Sequence, residues 1–124
     1  MINTNEFEYK DSRWQDIFSH LNKIFDVYSP GVKVGECTSE YLVVKNDGSS
    51  KHISFSSDVD LYAILCYVPK NKYSSLEPLV QRVKKVMKEL EPMIKPYGNQ
   101  TPSYYDDSLK AHMISIEYKN YKKL

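Results

Sequence analysis

Glycine is nearly missing from this chain. Four glycines in 124 residues leave no Gly-rich loop that could wrap a phosphate in backbone N–H groups, which excludes a nucleotide-binding fingerprint. Cysteine is scarce too. Cys37 and Cys66 stand alone, with no CxxC and no Cys/His cluster, so no zinc-ligand spacing exists. A disulfide between them is left open by the sequence. Two reduced, partly buried thiols in a cytoplasmic protein is the reading that fits better. Neither sign of charge dominates: 17 basic against 16 acidic residues give a formal net charge of +1. A chain whose main partner is nucleic acid usually carries a clear basic excess. Long apolar runs are lacking. The longest, 61–68, falls far short of the roughly 20 residues that a membrane-spanning helix needs. The first ten residues are polar, with Glu6 and Glu8, unlike a secretory signal. The expectation is a soluble chain made in the cytoplasm, with no membrane partner.

What the chain does have is tyrosine, 11 residues of it. Tyrosine offers large, amphipathic contact area with few rotatable bonds and is enriched at protein interfaces. A codon bias toward Tyr, Lys, Asn and Ser explains the count equally well. The length suits one domain with one core, so residues 1–124 read as a single α/β domain with a polar arm at about 1–10 and a basic tail at about 119–124.

Periodicity sets the elements. Trp14, Ile17, Phe18, Leu21, Ile24, Phe25 and Tyr28 recur at helical spacing, with Asp11 or Ser12 as the cap and Pro30-Gly31 as the stop. Residues 32–36 are weakly patterned and read as strand or loop. A strand at 41–45, a hairpin turn at Asn46-Asp47-Gly48 and a return strand at 52–56 follow. The clearest strand is 59–68. Tyr62, Ile64, Cys66 and Val68 face one way, and Leu61, Ala63, Leu65 and Tyr67 the other. With both faces apolar it needs two covers, and only one is evident within the chain. The second helix runs from 74 to about 93 with a stripe of Leu76, Leu79, Val80, Val83, Val86, Met87 and Leu90. Residues 97–108 form a loop long enough to be functional, and 110–118 is the last strand. The order α-β-β-β-α-β predicts an α+β two-layer sandwich: a four-stranded antiparallel or mixed sheet with both helices on one face. The unit from 59 to 118 would be a right-handed crossover if its strands are parallel.

No arrangement points to catalysis. His20, His52 and His112 have no metal-ligand partner at suitable spacing. Asp58 and Asp60 share one strand face, but a polar strand start explains them better than acid–base work. Asp106-Asp107 fits turn chemistry. Arg82, Lys84, Lys85 and Lys88, with Lys119, Lys122 and Lys123, could contact phosphate, yet a solvated helix face accounts for them.

Three segments carry a resemblance. They are Tyr41-Leu42-Val43-Val44-Lys45; the strand from Asp60 to Pro69 with Lys72-Tyr73-Ser74-Ser75-Leu76 leading into the helix; and Tyr105-Asp106-Asp107 followed by Ala111 to Tyr118. In these and in element order, over about 12–120, the chain resembles the tail-terminator (tail-completion) proteins of long-tailed bacteriophages and phage-derived tail particles. The resemblance implies a structural virion protein, not an enzyme, with no cofactor and no metal. It implies a homo-oligomeric ring, sixfold, that caps the tail-tube protein, stops its growth and offers a docking face to the neck or head connector. DNA would only pass through the lumen, and the protein would reside in the virion tail or neck. An adjacent head–tail connector or stopper is the alternative, and a small nucleic-acid-binding module a further one. Interface candidates rest on pattern: Tyr62, Tyr97, Tyr104, Tyr105, Asp106 and Asp107.

Overall fold

The structure, a computed structural model, describes residues 13–51, 58–98 and 100–122, with the side chains of 49–51, 58, 121 and 122 outside the description. Helix α1 (Trp14–Asn22) leads to a two-residue strand β1 (Val27–Tyr28), then β2 (Tyr41–Lys51) and β3 (Asp58–Pro69). A 3-10 turn, Lys70–Ser75, opens into α2 (Leu76–Met87), and a second, Lys88–Leu90, closes it. The short strands β4 (Lys95–Pro96) and β5 (Tyr104–Asp106) precede the long β6 (Ala111–Lys122).

The α+β class and the single layer of helices agree with expectation; the sheet is larger than the four strands expected, and the order α-β-β-β-α-β is not kept, because two short strands intervene between α2 and the last strand. Among the described residues the sheet has six strands, in the order β1-β2-β3-β6-β4 with β5 also on β6. Only β1 with β2 is parallel. Since β3 and β6 run antiparallel from Asp58↔Lys122 to Pro69↔Ala111, the conditional right-handed crossover does not arise. Residues 119–122 are strand rather than tail, because each finds a ladder partner among Asp58–Leu61.

β3 has neighbours on both sides and is buried on both faces. Leu42, Val44, Tyr62, Ile64, Cys66, Val68, Ile114, Ile116 and Tyr118 meet Ile17 and Leu21 of α1 and Leu76, Leu79, Val80, Val83 and Met87 of α2 in one core. Each such aliphatic side chain contributes roughly 1.5 to 3 kcal/mol by leaving water. The α2 stripe is the one read from the sequence, although the α-helix itself stops at Met87. α1 is shorter than its spacing suggested. It ends at Asn22 because the chain turns there, Phe25 N–H still donating to the Leu21 carbonyl. Phe25 stays in the core, Ile24 faces solvent, and Tyr28 belongs to β1.

Asn46-Asp47-Gly48 does not turn the chain back. β2 continues to Lys51 with a register shift between Asn46 and Ser49, and Gly48 takes φ +96 there, which glycine accepts without strain. The same residues that suit a hairpin turn suit a bulge. The return strand expected at 52–56 lies outside the described residues, as do the 1–10 arm and the cap at Asp11 or Ser12. Residues 32–36 are loop.

The far face of the sheet has a cover after all. Cys37, Tyr41, Tyr67 and Ala111 are buried there, with Tyr28, Val43, Leu65, Leu109 and Met113 packed around them. The loop 29–40 folds across this face, tied by the Cys37 N–H donating to the Leu109 carbonyl at 2.7 Å. Tyr41 and Tyr67 stack at 4.9 Å, Tyr28 meets Tyr41 edge-on, and the Lys33 ammonium lies 5.3 Å from the Tyr28 ring centre. The surplus of apolar surface is therefore small: Val43, Leu61, Leu65 and Met113 remain half-buried.

Tyr62 pins the start of α1 to the sheet: its hydroxyl accepts the Arg13 backbone N–H at 2.7 Å. Tyr62→Phe removes that acceptor and is expected to cost roughly 1 to 3 kcal/mol. Leu79→Ala, which opens a void, is expected to cost roughly 2 to 5 kcal/mol. Urea midpoints of the two variants against wild type measure both.

Candidate assembly interface

The two edges of the sheet are built differently. On the β6 side, residues 95–106 run along the strand and satisfy it. Tyr97 N–H donates to the Glu117 carbonyl and Thr101 N–H to the Ser115 carbonyl, both at 2.9 Å. Ser115 N–H donates to Thr101 Oγ1 at 3.0 Å, and β4 and β5 pair at Tyr118–Lys119 and Ala111–Met113. The expected long loop is thus largely an edge cap. On the other side β1 pairs only with Leu42 and Val43. The Trp14 indole N–H donates to the Val44 carbonyl at 2.7 Å, and among the described residues no strand pairs with the outer edge of β2 beyond Val43. Lys45 and the bulge blunt this edge, as lysines and bulges do in natural sheets.

The six interface candidates separate on this frame. Tyr62 is fully enclosed in the domain's own core, because it lies on the helix-facing side of the central strand, so its side chain offers no surface to a neighbour. Tyr97 and Tyr104 are exposed, at 41% and 58%. Tyr105 is half-buried against His112, at 5.1 Å between ring centres. Asp106 serves its own turn: Oδ1 accepts from Ser108 N–H, Ser108 Oγ and Leu109 N–H at 3.0, 2.6 and 3.1 Å. Asp107 pairs with Lys110 at 3.0 Å, which holds the Lys110 ammonium above the usual lysine range. Sequence reasoning passed over Ile24, Val32, Val34, Tyr73 and Met93, which are all exposed. The alternating Val32-Lys33-Val34 was the available signal. Lys33 turns inward onto the tyrosine rings and leaves both valines outward.

The remaining chemical groups are mostly engaged within the fold. His20 Nε2 lies 2.9 Å from Glu89 Oε1. His112 Nε2 lies 3.0 Å from the Lys70 carbonyl oxygen, and His52 is outside the described residues. Asp60 is buried opposite Asn120. Arg82 donates to both oxygens of Glu40, at 3.1 and 3.2 Å, and Lys84 to Gln100 at 2.6 Å. Half of the basic side of α2 is therefore committed inside the domain. A cleft of about 370 Å³ beside Lys84, Lys88, Glu91, Gln100 and Tyr118 mixes both signs of charge. Among the described residues no three His, Cys, Asp or Glu side chains gather where a metal ion could sit, and no helix is long and apolar enough to cross a membrane. Burial pushes the Cys66 thiol up to about 12 and raises Cys37 as well, so both are poor nucleophiles.

One carboxyl pair spans the far face. The row Lys45, Ala63, Glu117 crosses three strands, and Asp47, from the bulge, hydrogen-bonds Glu117. The contact must pass over β3, where Ala63 is small enough to allow it. The hydrogen bond, then desolvation, then the Asp47 charge raise Glu117 above its ordinary 4.5. A raised folded-state value means that the folded chain binds more protons than the unfolded chain in that window. Its contribution to stability is complete below 4.5 and is lost as pH rises through the higher folded value. Glu117→Gln, neutral throughout, is expected to gain in denaturation midpoint relative to wild type as pH rises from below 4.5 toward neutrality. Urea titrations at several pH values check the slope.

No protein-family model matches the sequence, and no curated protein is similar to it.

Proposed function

We propose that this chain is a non-catalytic structural subunit that assembles with copies of itself into a ring, acting as a tail terminator at the end of a phage-type tail tube and presenting the opposite side of the ring to a neck or head connector. The single observation that carries the reading is the unlike pair of sheet edges. A ring closes through heterologous contacts, in which each copy uses two different complementary surfaces. This domain has one edge capped by its own segment from β4 to β5 and one along which, beyond Val43 of β2, no strand pairs among the described residues. The resemblance in the three segments named above supplies the tail assignment.

Light scattering on the purified chain over a range of concentrations, with and without tail-tube protein, tests this. The expected result is a discrete mass of six chains, formed alone or on the tube. A chain that stays monomeric at high concentration and does not associate with tube protein would overturn the reading.

A further inference from the structure

The strap that closes the far face of the sheet is held by little. Of residues 29–40, Cys37 alone is buried. One backbone hydrogen bond among the described residues ties the strap to the sheet, from the Cys37 N–H to the Leu109 carbonyl. The other ties are made by side chains. Lys33 lies over the Tyr28 and Tyr41 rings at 5.3 and 5.5 Å, Glu40 pairs with Arg82 where both are partly exposed, and Glu36 adds a weak attraction for Lys110. Where Gly31 and Gly35 would carry a Cβ, nothing lies within 4 Å, so the strap is unpacked on that side at both points. We infer that this strap is a lid. It lifts from the sheet while the helices and the sheet stay folded, and it uncovers the Cys37 thiol and the stacked rings of Tyr41 and Tyr67. Ring formation does not require this movement.

Closure also carries a cost. The Tyr41 hydroxyl is buried with no hydrogen-bond partner among the described residues. Burial raises it above the ordinary tyrosine range, and Cys37 is close enough to add to that. The Cys37 end of the strap is therefore part of what takes this hydroxyl out of water. Lifting the strap returns a hydrogen-bonding group to solvent, which favours the open state. A segment with so few buried contacts opens locally at a lower free energy than the whole domain. The opposite layer differs. Cys66 lies in the core with Leu79, Val80 and Val83 of α2, so its thiol meets a reagent only when that layer comes apart. With the lid open, Tyr41, Tyr67 and Ala111 join half-buried Val43, Leu65 and Met113 in one uncovered apolar face.

The two buried cysteines report on the two layers separately. The intact chain is treated with a maleimide in native buffer and in low urea. Each thiol is followed by mass spectrometry of the digest, relative to its rate in the unfolded chain. Cys37 is expected to react at least about tenfold faster than Cys66. Its rate is expected to change little in low urea while that of Cys66 climbs steeply, because lifting the strap exposes little surface and opening the core exposes much. Leu79→Ala is expected to accelerate Cys66 by more than about tenfold through the loosened core and to leave Cys37 nearly unchanged. Lys33→Met keeps an apolar stem and removes the cation, and is expected to speed Cys37 roughly twofold to fivefold. Cys37 and Cys66 reacting at one rate with one urea slope, or a Cys37 rate that rises with that of Cys66 in Leu79→Ala, would overturn the lid. If Leu79→Ala does not fold, the two urea slopes of wild type decide alone.

Discussion

The double ladder of β3 is the constraint on which the rest of the domain depends. Its 12 residues pair with β2 on one side and β6 on the other. Every second side chain faces the helices; on the other side Leu65 and Tyr67 pack with the cluster that the loop 29–40 closes, and Ala63 lies beneath the Asp47–Glu117 pair. A strand with apolar residues at both phases cannot sit half in water, so the chain must supply two layers. The helix layer is thick and made of interlocked aliphatics. The other layer is a single strap, held by one backbone hydrogen bond from Cys37, a stack of tyrosines and the Lys33 cation over two rings. With both faces spoken for, what the domain has left to offer is its edges.

The parts of this arrangement that follow from local chemistry were legible in the sequence. The α2 stripe is legible because a 3.6-residue period has one interpretation over twelve residues. The two-faced character of β3 is legible because alternation fixes which residues share a side. What required distant segments was not. Residues 119–122 look like a solvated basic tail, and they become strand only because Asp58–Leu61 run beside them. Asn46-Asp47-Gly48 carries turn chemistry, and whether it reverses the chain or kinks it depends on how far β3 extends. Tyr28 fits a helical period, yet pairing with Val43 of β2 takes it into a strand.

The candidate surface was legible in kind and only partly in place. Tyrosines at 97 and 104 are exposed as an interface requires, whereas Tyr62 spends its hydroxyl on the Arg13 N–H inside the core. Asp106 and Asp107, interface candidates by pattern, serve the turn before β6 as their turn chemistry indicated. The valines at 32 and 34 were hidden by an inversion of the usual rule. A lysine stem covers aromatic rings while its apolar neighbours point outward, and no window of local hydropathy reports that. A cation over the rings of Tyr28 and Tyr41, two residues brought together by strand pairing, is a non-local event.

Assembly through edges, with the faces already filled, is the central claim, and oxidative footprinting of assembled against dispersed protein tests it most directly, because methionine reports on both alternatives. Met93 marks the β4 edge and Met113 the half-buried far face. The account predicts that Met93 and Tyr97, beside β4, become protected on assembly while Met113 is unchanged. Protection of Met113 and Leu65, with Met93 and Tyr97 as reactive as before, would contradict it.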